Sequence, residues 1–307
     1  MTDIPFISFD EGEKLLDWIE LTDALAQGHI LPKAEIGDTF LYRDPDTLLS
    51  RAAWIDGMGI AVKSATIFPR NAERGKPNIN GGVSLYSDND GTLEAIIDFH
   101  LVTKWKTAGD SLLAARRLAR SDSEHILLVG AGTVARSLHD AYSAAFPQAS
   151  FTVWSRTRAS AQAFADTLPD VTVADDLEDA VHRADIIGCA TMTTDPLIMG
   201  AWLKPGQHLD LIGAYRPDMR EVDDEALQRA RLFVDSFDTT LGHIGEIKIP
   251  LDTGVITRDH IIADYYDLDA FTRRSSDEIT ICKNGGGAHL DLMVSRYILD
   301  QWRMAAA

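Results

Sequence analysis

The sequence predicts an α/β protein, a doubly wound parallel sheet preceded by a half of α+β character. Three observations predict it. From Glu124 onward, short apolar runs alternate with amphipathic stretches of helical period. A glycine turn joins the first of these runs to the first of these stretches. Before Glu124 the apolar runs are joined instead by Gly, Asn and Asp turns, as in an antiparallel or mixed sheet. The 307 residues suit two domains and a large core.

In chain order, residues 14–28 read as an amphipathic helix, and 39–42, 47–55, 59–67, 82–86 and 93–97 as strands, with Asp88-Asn89-Asp90-Gly91 as a hairpin turn. The charged, turn-prone stretch 120–124 reads as the boundary. Beyond it, 125–129, 151–154, 171–174, 185–191, 208–214 and 231–235 read as six strands, with helices at 134–145, 159–168 and 177–184. After that sheet come a further strand at 279–284, a tight turn at Gly285-Gly286-Gly287 and a final helix at 288–302.

Composition narrows the function classes. Lys and Arg number 29 against 47 Asp and Glu, a net charge of −18, so the average surface repels nucleic-acid phosphates and anionic lipid. No nucleic-acid or membrane partner is expected, and no stretch is apolar enough for a membrane span. The acidic first 13 residues lack a basic region followed by an apolar run, so a cytoplasmic location without a targeting segment is expected. Cys189 and Cys282, the two cysteines, sit in apolar runs and are expected to be inert core thiols. No metal site is expected.

Gly130-Ala131-Gly132-Thr133-Val134-Ala135 fits the dinucleotide fingerprint G-x-G-x-x-A between a strand and a helix. In that pattern the first glycine makes the tight turn, the second admits the pyrophosphate, the alanine lets helix and strand approach, and the helix N-terminus offers N–H donors. At the end of the next strand, where NAD-binding chains carry an acid, stands Ser155-Arg156-Thr157-Arg158. Two guanidinium groups and two hydroxyls suit a 2′-phosphate, so NADP(H) is expected in preference to NAD(H), which stays possible.

The chain resembles the ornithine cyclodeaminase and mu-crystallin family over nearly its whole length. The resemblance rests on Val62-Lys63, Lys106-Thr107-Ala108-Gly109-Asp110-Ser111, the glycine turn, Val153-Trp154-Ser155-Arg156-Thr157, Ala190-Thr191-Met192-Thr193-Thr194-Asp195-Pro196, the stretch 203–213 and Arg216-Pro217-Asp218-Met219-Arg220-Glu221, in this order. It implies a homodimer formed through an N-terminal substrate domain, residues 1–113, to which a C-terminal helix, 288–307, returns. A Rossmann domain, 114–287, would bind the nicotinamide cofactor, with Thr107, Thr191, Met192, Ile212 and Asn284 joining the turn as cofactor contacts. The family's chemistry is on 2-amino acids or their imines.

Residue by residue, the resemblance makes Lys63 the carboxylate-binding lysine. Lys106 stands where cyclodeaminases carry an arginine, keeping the charge without the bidentate fork. No clear match exists for a further family arginine near residues 33–37; Arg51 either takes that role or forms a buried or edge-strand salt bridge. Asp110 replaces a small residue and either serves a substrate nitrogen or a proton-donating water, or satisfies a helix dipole. His289 either relays a proton or packs a helix.

Tyr215 is the informative departure. Cyclodeaminases place an aspartate there, and deamination of an amino acid needs such a base, whereas a phenol of ordinary pKa near ~10 is a poor one at neutral pH. Reduction of a preformed imine needs less, leaving Tyr215 to donate a hydrogen bond or line the pocket. The resulting expectation is NADPH-dependent reduction of a cyclic ketimine, 1-pyrroline-2-carboxylate to L-proline and its six-membered homologue to L-pipecolate. Ornithine cyclodeaminase, alanine dehydrogenase, reduction of an acyclic imino acid such as iminosuccinate, and a non-enzymatic NADPH-dependent binding protein are the alternatives.

Overall fold

A computed structural model describes residues 4–307 of the chain. It divides into two compact units, one formed by the chain up to Lys106 together with Gly287–Ala307, the other by Thr107–Gly286. The division falls inside a helix, earlier than the expected 113/114 boundary and well before the turn at 120–124. Helical hydrogen bonding carries the chain through that point, so no change in composition marks it.

The first unit holds a six-stranded sheet in the order β1-β6-β5-β4-β3-β2, with β1 at Phe6–Ile7, β2 at Glu35–Arg43, β3 at Asp46–Ile55, β4 at Gly59–Ile67, β5 at Ile79–Tyr86 and β6 at Leu93–Asp98. β2 to β6 are antiparallel neighbours, and β1, too short to read from periodicity, pairs parallel with β6. Helix α1 (Phe9–Gly12) is a single turn. Helix α2 (Trp18–Gly28) starts later than residue 14 because Asp17 caps it, accepting from Ile19 N at 2.8 Å and Glu20 N at 3.0 Å. Helix α3 (Phe99–Leu118) follows β6.

Alternation divides this sheet's residues between two faces. Ala53, Ala61, Val83, Leu85 and Ile97 point to one face and are buried. The C-terminal helix α10 (Ala288–Ala306) packs on β3, β4 and α2 within this unit. Phe6, Leu48, Trp54 and Ile96 share the opposite face and are exposed.

The second unit is a seven-stranded parallel sheet. Its strands are β7 (His125–Val129), β8 (Ser150–Trp154), β9 (Val171–Val173), β10 (Ile186–Cys189), β11 (His208–Leu211), β12 (Arg231–Val234) and β13 (Thr280–Lys283), in the order β12-β13-β11-β10-β7-β8-β9. β13 does not follow the sheet as a separate strand; it is inserted between β11 and β12, where its residues are buried like those of its neighbours. Helices α4 (Thr133–Ala145), α5 (Arg158–Ala165), α6 (Leu177–Arg183), α7 (Asp224–Arg229), α8 (Phe237–Thr240) and α9 (Gly245–Asp252) belong to the same unit. This is the doubly wound fold the sequence predicts. Cys189 and Cys282 are free and buried, and no described helix is long and apolar enough to cross a membrane.

Candidate active site

Strand register builds a charged row in the first unit. Asp38 on β2 pairs with Arg51 on β3, and Arg51 with Lys63 on β4, so the three side chains rise from the same face. Arg51 donates from Nε to both Asp38 oxygens at 3.2 Å and from Nη2 at 3.0 Å. Of the two roles open to Arg51, the ion pair between strands is the one seen. Lys63, 7 % exposed, donates from Nζ to Asp291 Oδ1 at 2.9 Å and lies 4.7 Å from the centre of the Phe99 ring. Lys106 on α3 is also buried, 8 % exposed.

The electrostatics follow from this crowding. Burial pushes the Lys63 ammonium below its ordinary pKa; Asp291 opposes the shift, and Lys106 and Arg51 add to it. Burial would raise the Asp291 carboxyl, but Lys63, Lys106 and Arg51 outweigh it and hold the group below the usual carboxylate range. Two buried lysines beside one acid leave a cationic site suited to a carboxylate. His289 lies on α10, fully buried, and burial with the Lys106 charge pushes its pKa down to about 3. A neutral imidazole edge-on to His29, with ring centres 5.4 Å apart, packs the helix and is no reservoir of protons near neutral pH.

In the second unit the glycine turn leads from β7 into α4. Gly130 has φ +112°, and a Cβ there would come within 2.8 Å of the Ala190 carbonyl, so only glycine lets the turn lie against the end of β10. A Cβ on Gly132 would meet nothing within 4 Å, which leaves the helix N-terminus open, and no side chain caps it. Ala135 is fully buried. Beside the turn lies a cleft of about 310 Å³, lined by Gly130, Ser155, Arg156, Thr157, Thr191 and Met192 among others. An open helix N-terminus beside a cleft at the carboxyl ends of parallel strands fits a dinucleotide pyrophosphate, with Ala131, Thr133 and Val134 supplying the surrounding backbone. A larger cleft of about 770 Å³, lined by His125, Thr152, Thr172, His182 and Lys204, borders the same sheet but not the glycine turn.

Arg156 is exposed at the cleft, whereas Arg158 at the start of α5 forms an ion pair with Asp175. Asp175, just after β9, takes up Arg158. Ile212 continues the β11 ladder, its N–H donating to Cys189 O at 2.9 Å.

Asp110 faces inward, fully buried. Its Oδ1 accepts from Asn284 Nδ2 at 2.8 Å, and Asn284 Oδ1 accepts from Ser111 Oγ at 3.3 Å. Asp110 therefore fixes an amide at the end of β13, a contact that neither the substrate-nitrogen nor the helix-dipole reading called for. Thr107 precedes it on α3. Tyr215 is 58 % exposed on the loop after β11, while Asp110 and Tyr215 share the second unit. No group of three or more metal-ligating side chains occurs among the described residues.

The family model of the ornithine cyclodeaminase/mu-crystallin family matches residues 53–306. The chain belongs to this family. It is 49 % identical over 301 residues to a Delta(1)-pyrroline-2-carboxylate reductase of Paracoccus denitrificans, covering 95 % of each chain. It is 31 % identical to the ketimine reductase mu-crystallin of Mus musculus, over 79 % of this chain and 76 % of that one. Among solved structures, a Thermococcus litoralis Delta(1)-pyrroline-2-carboxylate reductase in complex with NADH and L-proline superposes with a TM-score of 0.88 at 24 % identity, covering 98 % of both chains.

In this member of the ornithine cyclodeaminase/mu-crystallin family, sequence reasoning missed Asp291. Its signal was a lone acid in the apolar first turns of the C-terminal helix, which packs on the sheet that carries Lys63. It also passed over Glu221 as a motif letter without a role.

Proposed function

We propose that the chain is an NADPH-preferring reductase of cyclic ketimines, converting 1-pyrroline-2-carboxylate to L-proline and 1-piperideine-2-carboxylate to L-pipecolate. The observation that carries this reading is the 49 % identity with a Delta(1)-pyrroline-2-carboxylate reductase along nearly the full length of both chains. The geometry supplies a reason for reduction over deamination. Lys63 and Lys106 hold the substrate carboxylate as a pair of buried cations and fix the ring in attack geometry. The reduced nicotinamide supplies hydride when bound. The protonated C=N takes that hydride at carbon, its π electrons pass to nitrogen, and the product is a secondary amine. No protein base is consumed, which agrees with Tyr215 where cyclodeaminases carry an aspartate. Arg51, the extra cation a second carboxylate would call for, is engaged by Asp38, so a monocarboxylate substrate is favoured.

Arg156, with Ser155 and Thr157, supports the 2′-phosphate and hence NADPH, NADH being the weaker alternative. The exposed apolar face of the first unit's sheet, with Phe6 61 % and Trp54 49 % exposed, supports a homodimer in which two copies cover each other. A cytoplasmic location belongs to this reading and is supported by the two buried free thiols. NADPH consumption with authentic 1-pyrroline-2-carboxylate, with L-proline identified as the product, tests the proposal.

A further inference from the structure

A buried acid pair stands behind the dinucleotide cleft, and the reduction described above makes no use of it. Glu221, fully buried, accepts four hydrogen bonds on its two carboxylate oxygens. Oε1 takes Thr191 N at 2.8 Å and Thr191 Oγ1 at 2.9 Å; Oε2 takes Gly213 N at 2.8 Å and Ala214 N at 3.2 Å. These donors lie on two segments, one leaving the carboxyl end of β10 and the other that of β11. Adjacent strand ends of this kind border a dinucleotide crevice. The approach is close enough that a Cβ on Gly213 would meet Thr191 O at 2.0 Å and Glu221 Oε1 at 2.5 Å. The held segment is also the one against which the glycine turn lies, since Gly130 abuts Ala190 O.

Glu246, in the first turn of α9 and fully buried, holds the backbone of Glu221 in turn. Its Oε2 accepts from Glu221 N at 2.6 Å and its Oε1 from Val222 N at 3.2 Å. The charged and titratable groups around it are Glu221, Lys283 on β13 and Cys189 on β10. Lys283 donates to Leu211 O at 2.6 Å and Asn284 O at 2.9 Å. It therefore ties the same strand ends from the other side.

We propose that Glu221 is the positioning residue of the dinucleotide cleft, and that Glu246 behind it is a proton-sensing support that makes cofactor affinity depend on pH. The proposal rests on the reading of the cleft as an NAD(P)H site. Glu221 offers both oxygens as acceptors, and a full charge on Glu246 crowds negative charge against them. Burial, reinforced by the Glu221 charge, pushes the Glu246 carboxyl up to about 7, so it changes charge in the neutral range. Above that range the paired charges loosen the grip on Thr191, Gly213 and Ala214, and the cleft is less well formed for its ligand.

The test is direct titration of NADPH by its fluorescence, without substrate, at pH 6 to 8. Wild type is compared with Glu221→Gln and Glu246→Gln, and folding of each is checked by thermal unfolding. Glutamine at 221 keeps one accepting oxygen and turns an NH₂ group toward two donors. It is expected to weaken NADPH binding at least tenfold. Wild type is expected to lose affinity several-fold between pH 6 and 8, and Glu246→Gln, which keeps one accepting oxygen and carries no titrating proton, to show a flat profile whatever its absolute affinity. Titration of the 2′-phosphate is common to both chains and cancels in the comparison.

A folded Glu221→Gln chain that binds NADPH as wild type does, or a Glu246→Gln chain that keeps the wild-type pH profile, overturns the proposal alone. Should Glu221→Gln not fold, the Glu246→Gln profile decides. Wild type that binds neither NADPH nor NADH overturns the reading beneath it as well.

Discussion

Lys63 Nζ lies 2.9 Å from Asp291 Oδ1, an ion pair between β4 and α10 that joins residues 228 positions apart. It holds the helix against the sheet and keeps a lysine charged in a buried place. Removing Asp291 leaves Lys63 as an uncompensated buried charge, which costs about 3–5 kcal/mol, whereas Asp291 without Lys63 keeps Lys106 and Arg51 nearby. Lys63→Ala removes one of the two cations proposed to hold the substrate carboxylate, and should raise KM for the cyclic imine by roughly two orders of magnitude and lower Tm. Asp291→Asn should lower Tm as well.

The pH dependence of this pair has a definite sign. Because the folded Lys63 pKa is depressed, the unfolded chain binds more protons between the folded value and ~10.4, so this group makes folding more favourable as pH rises there. In the proposed role of Lys63, carboxylate binding needs the ammonium and should weaken over the same window. The depressed Asp291 contributes stability that is present above its unfolded value of ~3.9 and lost as pH falls through its folded one. The inhibition constant of a ring carboxylate without a basic nitrogen, followed from pH 7 upward, should begin to rise below ~10.4 in wild type and at lower pH in Asp291→Asn.

Cofactor choice divides the two arginines. Arg156→Ala should raise KM for NADPH about tenfold, the worth of one charge-assisted contact, and leave NADH nearly unchanged. Arg158→Ala should have a smaller effect, because Asp175 already occupies that guanidinium. Initial rates with both dinucleotides check this.

Tyr215→Phe should retain activity within about threefold, since imine reduction asks no base of this exposed side chain. A fall of a hundredfold would return the phenol to the chemistry.

Trp54→Glu places a charge on the open apolar face of the first unit's sheet. It should shift the chain from dimer to monomer in light scattering, with little change in its far-ultraviolet circular dichroism.

What the sequence made legible was local. The glycine turn, its flanking strand and helix, and the arginines after β8 are adjacent in the chain, and their spacing carries their geometry. The hairpin strands were legible because alternation and turn residues report on near neighbours. The insertion of β13 between β11 and β12 was not, because a fully buried strand has no alternation to reveal its place. Asp291, Asp175 and Glu246 escaped for a related reason: each acquires its role from a partner distant in sequence, and an isolated carboxylate looks like any other. Arg51 and Asp110 show the converse, since residue type suggested a part in the chemistry but said nothing of the contacts with Asp38 and Asn284.

The most direct test follows NADPH absorbance with purified chain and 1-pyrroline-2-carboxylate, while parallel samples receive ornithine with NAD, and pyruvate with ammonia. The account predicts rapid NADPH oxidation with L-proline formed in equal amount, and little turnover in the other two. Ammonia release from ornithine, or no oxidation of NADPH by the cyclic imine in a chain that binds the cofactor, would contradict it.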